Sequence, residues 1–238
     1  MAQVIAKLAN MYCRDGVFLS VLEQSRVTLL LKKPGVDQSD MSNFRPITTP
    51  PTLSKILERL ALCRLGHHVM TTGNLSEYQS AYRAGHSTQT ALLKVINDII
   101  TTMCHQEPTV VLSFDISATS DTIDHSILID HNTSDFGITG SALRWLQSFF
   151  SGRSQYVGVG DVWPVSVSCL SGVPQGPLLF STYISLVANV VKGHNLHQHQ
   201  YADDTQLCMT VIPNDGGLLH VISSCRRCLS MVPGEWLD

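Results

Sequence analysis

Two adjacent carboxylates, Asp203 and Asp204, lie between two short strand-like segments and constrain the fold more than any other feature of this sequence. Residues 196–200 and 205–209 predict two strands, and residues 201–204 predict the tight turn that joins them. Asp is tolerated in turns because its short side chain can hydrogen-bond the local backbone. Two neighbouring acids still repel each other, and a divalent metal such as Mg²⁺, which takes oxygen ligands from carboxylates, usually compensates for this.

A third carboxylate, Asp115, ends a β-branched apolar run at residues 109–116, which is the pattern of a buried strand. A lone buried carboxylate is costly unless it is paired or bound to a metal. Three acids from two strands could hold two metal ions about 3.5–4 Å apart, the arrangement that stabilises attacking and leaving oxygens in phosphoryl transfer. Spacing alone leaves an alternative open, in which Asp115 caps the next helix and Asp203-Asp204 is a solvated turn.

Five ordered motifs occupy residues 31–35, 43–47, 79–88, 114–125 and 171–176. The fourth contains Asp115, and the fifth is a glycine-rich motif that precedes the acidic turn. Together the five motifs resemble those of reverse transcriptases encoded by LINE-type (non-LTR, jockey-like) retrotransposons. The motif around Asp115 resembles the first catalytic motif of that family, and the three upstream motifs resemble those of its fingers.

The resemblance implies an α+β right-hand polymerase fold with fingers and palm, in which the thumb is absent. A fingers-like region with an N-terminal extension is expected at residues 1–108, the palm at 109–212 and the truncated end of the palm at 213–238. The implied function is RNA-directed DNA polymerase, a nucleotidyltransferase that adds deoxynucleotides to a primer 3′ end by two-metal phosphoryl transfer. The alternative is a decayed, non-catalytic remnant with at most weak nucleic-acid binding.

The resemblance also implies the metal ligands. Asp115, Asp203 and Asp204 are the expected catalytic acids, and they would bind two Mg²⁺ ions, with Mn²⁺ as a substitute. The backbone carbonyl of Ile116 is a further expected ligand. The implied partners are an RNA template, a DNA primer and dNTPs.

Residues that would bind nucleotide or template follow from the same motifs. Arg45 and Arg83 could pair bidentately with phosphate oxygens, although either could instead be an ordinary surface residue. Glycines in the third motif would let a loop approach the nascent base pair closely, because Gly lacks a Cβ. The expected binding residues are Arg45, Arg83, Ser120, Gly172, Gln175 and Gly176.

Three departures from the family pattern affect the expected nucleotide pocket and primer grip. Four residues of the family pattern are missing between Gly176 and Pro177, which shortens the loop that lines the pocket. Ser120 occupies a position where the family usually has Phe or Tyr, whose ring excludes a 2′ hydroxyl. The family's thumb, which holds the primer–template, is expected to be absent. These departures are the reason for the non-catalytic alternative.

The charge distribution is uneven along the chain. The net charge is −3, whereas a nucleic-acid binder usually presents a basic surface. Residues 1–100 contain 11 Lys and Arg against 7 Asp and Glu, and residues 101–238 contain 5 against 12. A basic first half and an acidic second half fit a nucleotide-binding region followed by a metal-binding palm.

Composition predicts an intracellular protein of the cytoplasm or nucleus rather than a secreted one. The N-terminus lacks the apolar core of a secretory signal, and no stretch approaches the roughly 20 apolar residues of a membrane helix. The seven cysteines are therefore expected to be reduced thiols. Cys225 and Cys228, with His220 nearby, provide one Cys pair where zinc normally needs four ligands, so no zinc is expected.

Helical periodicity predicts three helices, at residues 53–63, at 91–102 after a Ser87-Thr88 cap, and from a Ser141 cap to about Gly152. Alternation predicts strands at residues 154–159 and 162–169.

Overall fold

The computed structural model describes residues 2–104, 109–115, 123–157, 166–172, 177–192 and 197–210. Within these ranges the chain forms six α-helices and seven strands arranged in two sheets, so the predicted α+β class is confirmed. The helices are α1 (Ala2–Asp15), α2 (Thr52–Thr71), α3 (Thr88–Cys104), α4 (His125–Ser134), α5 (Gly140–Phe150) and α6 (Pro177–Lys192).

Two of the three predicted helices are confirmed, and both extend beyond their predicted ends. Helix α2 covers residues 53–63 and α3 covers residues 91–102. The predicted cap of α3 is present, because the Ser87 hydroxyl accepts a hydrogen bond from the Thr90 amide at 3.2 Å.

The third predicted helix exists, but its predicted cap was wrong. Helix α5 begins at Gly140, and Ser141 lies inside its first turn. The carbonyl of Thr139 already accepts the first helical hydrogen bond, from the Leu143 amide at 3.4 Å. The positive φ of Gly140, 62°, turns the chain into the helix one residue earlier than a Ser141 cap requires.

A four-stranded sheet joins residues from both halves of the chain. Its order is β2-β1-β4-β5, in which β1 and β4 are parallel and the other two pairs are antiparallel. Strands β4 and β5 confirm parts of the two strands predicted from alternation. The strands are β1 (Gln24–Leu31), β2 (Phe44–Thr49), β4 (Ser154–Val157) and β5 (Ser166–Ser168).

A three-stranded antiparallel sheet contains the acidic residues. Its order is β3-β7-β6, with β3 at Thr109–Asp115, β6 at His197–Tyr201 and β7 at Asp204–Thr210. Helices α3 and α6 pack against β6, and β7 contributes the buried side chain of Leu207 to the core. Helix packing against this sheet therefore fixes the strands that end at the acids.

An aromatic cluster forms the centre of the core beside α5. Phe149 is fully buried, its ring stacks on Trp145 with centroids 5.0 Å apart, and Phe18 meets it edge-on at 5.1 Å. The Phe18 amide also donates to the Ser148 hydroxyl at 2.9 Å. These contacts attach the N-terminal segment to α5.

Among the described residues, no helix is both long and apolar enough to cross a membrane. None of the five cysteines in the described part of the chain is joined in a disulfide.

A buried carboxyl group lies on α2 beside a buried arginine. Glu58 is 6% exposed, and burial raises its pKa to about 7, although the positive charges of Arg153 and Lys55 oppose the rise. Arg153 is also 6% exposed, donates to the Phe149 carbonyl at 3.2 Å and lies over the Phe149 ring. Glu58 is therefore a protonated core residue at mildly acid pH.

The raised pKa of Glu58 predicts a pH-dependent free energy of unfolding. The pKa of Glu58 in the folded protein, about 7, lies above the ordinary glutamate value of 4.5, so the stabilisation from the bound proton is complete below pH 4.5 and is lost as pH rises through 7. Between pH 5 and 8 the free energy of unfolding of the wild type should fall by about 2 kcal/mol more than that of Glu58→Gln, which has no titrating group at residue 58. Urea unfolding of both proteins measures the difference, and parallel pH curves would contradict this account.

Candidate active site

The turn between β6 and β7 presents the two adjacent acids. Tyr201 and Asp204 form the last register pair of this hairpin, so Ala202 and Asp203 are its two turn residues. The predicted strand–turn–strand arrangement is confirmed. Ala202 has φ 55°, a left-handed conformation that costs a non-glycine residue about 1–2 kcal/mol.

The register between β3 and β7 brings the third acid to the same end of the sheet. Asp115 is the last residue of β3, and its register partner is Asp204. Residues directly opposite each other on antiparallel strands have Cα atoms roughly 4.5–5.5 Å apart. The backbones of Asp115 and Asp204 are therefore adjacent, and Asp203 is the next residue, in the turn.

The carboxylates of Asp203 and Asp204 are exposed and are available to a ligand. In the described part of the chain, no hydrogen bond or ion pair engages either side chain. Across the same residues, no three His, Cys, Asp or Glu side chains form a metal-binding group. The side chain of Asp115 and the whole of Ile116 lie outside the described residues.

Gln79 holds the turn from a segment more than a hundred residues away in sequence. Its side-chain oxygen accepts from the Ala202 amide at 3.0 Å, and its side-chain nitrogen donates to the Ala202 carbonyl at 3.1 Å. The backbone of the same segment bridges to Gln200 in parallel. Gln79 lies in the motif at residues 79–88, and no local sequence pattern indicates a partner so far along the chain.

Gly172 is held at the start of the glycine-rich motif. Its φ of 88° favours glycine, and its amide donates to the Ile123 carbonyl at 2.8 Å. The Nε2–H of His125 donates to the Gly172 carbonyl at 2.7 Å, and the His125 ring stacks on Phe150. His125 therefore ties the first catalytic motif to the glycine-rich motif, a role that sequence reasoning missed.

Asp124 fixes the beginning of α4 next to this contact. Its carboxylate accepts hydrogen bonds from the amides of Ser126 and Ile127, at 2.8 and 3.2 Å. The hydrogen bond from the Ser126 hydroxyl, together with these amides, lowers the pKa of Asp124. Asp124 is thus a helix cap, and its backbone forms a bridge with Ser171.

The two predicted phosphate-binding arginines lie on different parts of the structure. Arg45 is exposed on β2, where its register partner is Leu30. Arg83 is half-buried, and its guanidinium donates to the carbonyls of Ser76 and Glu77 at 3.3 and 3.4 Å. Among the described ion pairs, neither arginine is joined to an acid of the hairpin.

The remaining predicted binding residues lie outside the described part. These are Ser120, Gln175 and Gly176. Helix α6 begins at Pro177, directly after the position of the four missing residues, and residues 179–185 are buried on all sides of the helix. Proline is well suited to the first position of a helix, because its missing amide would have no helical partner. The helix after the shortened loop is therefore intact.

The histidines just before the turn do not form a metal site within the described residues. His199 is buried, and its Nε2 lies 2.8 Å from an oxygen of Asp98 on α3. Desolvation lowers the pKa of His199. His197 is exposed, and the neighbouring His194 lies outside the described part, as do the residues considered for zinc, His220, Cys225 and Cys228.

The family described as "Reverse transcriptase (RNA-dependent DNA polymerase)" matches residues 31–232, which is most of the chain. The "RNA-directed DNA polymerase from mobile element jockey" of Drosophila melanogaster is 28% identical over 85% of this chain and 23% of its own length. The "Probable RNA-directed DNA polymerase from transposon X-element" of the same species is 29% identical over 65% of this chain and 17% of its own length. The chain thus spans about a fifth of the length of these relatives.

The fold agrees with a solved polymerase structure. The structure of "apo telomerase from Candida Tropicalis truncated from C-terminal domain" matches with a TM-score of 0.59 and 11% sequence identity, over 88% of this chain and 47% of that chain. The right-hand polymerase fold expected from the motifs is confirmed. Reverse transcriptases are generally metal-dependent, which agrees with the exposed acids at the hairpin. The chain therefore belongs to the reverse transcriptase family, and its relatives are the RNA-directed DNA polymerases of jockey and other non-LTR retrotransposons.

Proposed function

We propose that this chain performs RNA-directed DNA synthesis, in which deoxynucleotides are added to a primer 3′ end on an RNA template. The observation that carries this proposal is the β3–β7 register, which sets Asp115 opposite Asp204 at the hairpin that presents Asp203. These substrates would place the reaction inside the cell, in the cytoplasm or nucleus. No finding favours the alternative of a non-catalytic remnant.

The donor set fits a pair of divalent cations. Asp115, Asp203 and Asp204 would supply carboxylate oxygens, the ligands that Mg²⁺ prefers, and the carbonyl of Ile116 would add a neutral oxygen. Exposure of Asp203 and Asp204, without a competing cation among their described neighbours, supports this assignment. When bound, Mg²⁺ or Mn²⁺ would stabilise the negative charge that develops during phosphoryl transfer.

The protein's own contribution would be to position the reactants. The strand ends fix the acids relative to one another, and the Gly172 backbone, anchored by Ile123 and His125, would start the loop that approaches the nascent base pair. Arg45 has an exposed guanidinium for template or triphosphate. Arg83 would retain part of its donor capacity after its two backbone contacts, since guanidinium has five N–H groups.

The division into fingers and palm would follow the two sheets except at β4 and β5. We assign residues 1–108 to the fingers and their N-terminal extension, residues 109–212 to the palm, and residues 213–238 to the end of the palm. The three-stranded sheet would be the centre of the palm. Strands β4 and β5 come from the later part of the chain but pair with β1, so they would extend the sheet of the fingers.

Primer extension tests the proposed function directly. With poly(A)–oligo(dT), Mg²⁺ and dTTP, the chain should extend the primer, and Asp203→Ala should lower the rate by more than about a hundredfold. A loss of that size exceeds the 10–100-fold that removal of an outer-shell partner of a metal costs, because Asp203 would be a direct ligand. The matched control is Asp130→Ala, which removes an exposed acid on α4 and should leave the rate unchanged. Equal rates for wild type and Asp203→Ala would contradict the proposal.

Sugar selectivity tests the role assigned to Ser120. Because the family's aromatic ring excludes a 2′ hydroxyl, the small Ser120 should leave room for ribonucleotides. Ser120→Phe should raise the ratio of dNTP to rNTP incorporation by at least about tenfold, since a clash of about 1.4 kcal/mol is enough for that ratio. Single-nucleotide incorporation with dTTP and UTP measures it, with Ser120→Ala as the control that adds no ring. Unchanged selectivity in Ser120→Phe would contradict the assignment of Ser120 to the nucleotide pocket.

A further inference from the structure

We propose that Gln79 is a positioning residue for the catalytic turn, and that its side chain holds Ala202 in the conformation that presents Asp203 to the metal. This inference rests on the proposed function for the role of Asp203, but the contact itself is independent of it. We call the two hydrogen bonds between the Gln79 side chain and the Ala202 backbone the Gln79 clamp.

The geometry of the clamp fixes both peptide planes around Ala202. The Ala202 amide belongs to the peptide that precedes its Cα, and the Ala202 carbonyl belongs to the peptide that follows it. Gln79 accepts from the first at 3.0 Å and donates to the second at 3.1 Å. Both backbone angles of Ala202 are thereby constrained, and they determine the direction in which Asp203 leaves the turn.

The turn needs such a constraint because Ala202 is in an unfavourable conformation. Its φ of 55° is rarely adopted by an L-residue, and such a conformation persists only where the surrounding structure determines it. A two-residue turn has few backbone hydrogen bonds of its own to provide that determination. The Gln79 clamp supplies two hydrogen bonds directly at the strained residue.

Gln79 is itself rigidly placed, so it can transmit this constraint. The residue is 1% exposed, and its side-chain oxygen also accepts from the Ala81 amide at 3.0 Å. On either side of Gln79, the Ser80 amide donates to the Gln200 carbonyl and the Gln200 amide donates to the Tyr78 carbonyl, each at 2.9 Å. Losing the clamp would therefore leave the segment attached to β6 but release the turn.

The chain offers a matched control in Gln198. This glutamine lies on β6, is also 1% exposed, and its side-chain amide has no hydrogen-bond partner among the described residues. Gln79→Met and Gln198→Met make the same chemical change at the same burial, but only the first removes a contact with Ala202. A general packing effect should appear in both variants, whereas a positioning effect should appear in one.

The test combines amide hydrogen exchange with Mn²⁺ titration by electron paramagnetic resonance on the full chain. In Gln79→Met the Ala202 amide should exchange roughly tenfold faster, since one net hydrogen bond is lost. The Mn²⁺ concentration at half-saturation should rise about tenfold or more, because the loss of a residue that orients a metal ligand typically weakens metal binding by that factor. Gln198→Met should change neither quantity, and the Leu207 amide serves as the reference for overall stability.

Rescue by glycine separates positioning from simple destabilisation. Ala202→Gly removes the strain at positive φ, so the double variant Gln79→Met/Ala202→Gly should recover most of the Mn²⁺ affinity. If Gln79→Met alone does not fold, the double variant is compared with the single variant Ala202→Gly. The amide of residue 202 should then exchange faster in the double variant than in Ala202→Gly. A structural role in the core alone would not be rescued by a change in the turn.

The outcomes distinguish this inference from the proposed function. Unchanged Ala202 exchange in Gln79→Met, or equal effects in Gln198→Met, would overturn the Gln79 clamp. Faster exchange with unchanged Mn²⁺ affinity would overturn the positioning role. A wild-type chain that binds no Mn²⁺ would refute the metal site of the proposed function, and the exchange comparison would still decide whether the clamp exists.

Discussion

The antiparallel register of β3 and β7 is the constraint on which the candidate site depends. Seven consecutive pairs, from Thr109↔Thr210 to Asp115↔Asp204, bring an acid from the middle of the chain beside two acids about 90 residues later. A slip of one residue would turn every side chain of the strand to the other face of the sheet. The buried Leu207 on β7 makes such a slip costly, since it would take Leu207 out of its contacts in the hydrophobic core.

Side-chain contacts from segments remote in sequence also hold the hairpin and the glycine-rich motif in place. Gln79 reaches the turn from the segment before α3, and Asp98 on α3 bonds to His199 on β6. His125 connects the first catalytic motif to Gly172. Gln79 and His199 are largely removed from water, where an unmatched partner costs about 1–3 kcal/mol. The geometry of the hairpin is therefore determined by side chains that are not themselves proposed to take part in the chemistry.

Local patterns predicted the elements well and their long-range partners poorly. The strand ending at Asp115, the hairpin around Asp203 and the helices after residues 51 and 87 follow from hydrophobic periodicity and turn chemistry, which are properties of short windows. The roles of Gln79 and His125 could not be predicted, because each depends on a backbone group far along the chain. The cap at Ser141 was wrong because the positive φ of Gly140 begins the helix earlier. Ser120, Gln175 and Gly176 remain predictions.

The central claim is that Asp115, at the end of β3, and Asp203, in the turn between β6 and β7, bind the same metal. Mn²⁺ binding by wild type, Asp115→Asn, Asp203→Asn and the double variant tests it most directly, with free Mn²⁺ measured by electron paramagnetic resonance. If the two acids share a site, each single change should weaken binding at least about tenfold, and the double variant should be little weaker than the worse single variant, because coupled ligands are not additive. The account would be contradicted if the losses of Mn²⁺ binding free energy in the two single variants simply added in the double variant. It would also be contradicted if only Asp203→Asn weakened Mn²⁺ binding.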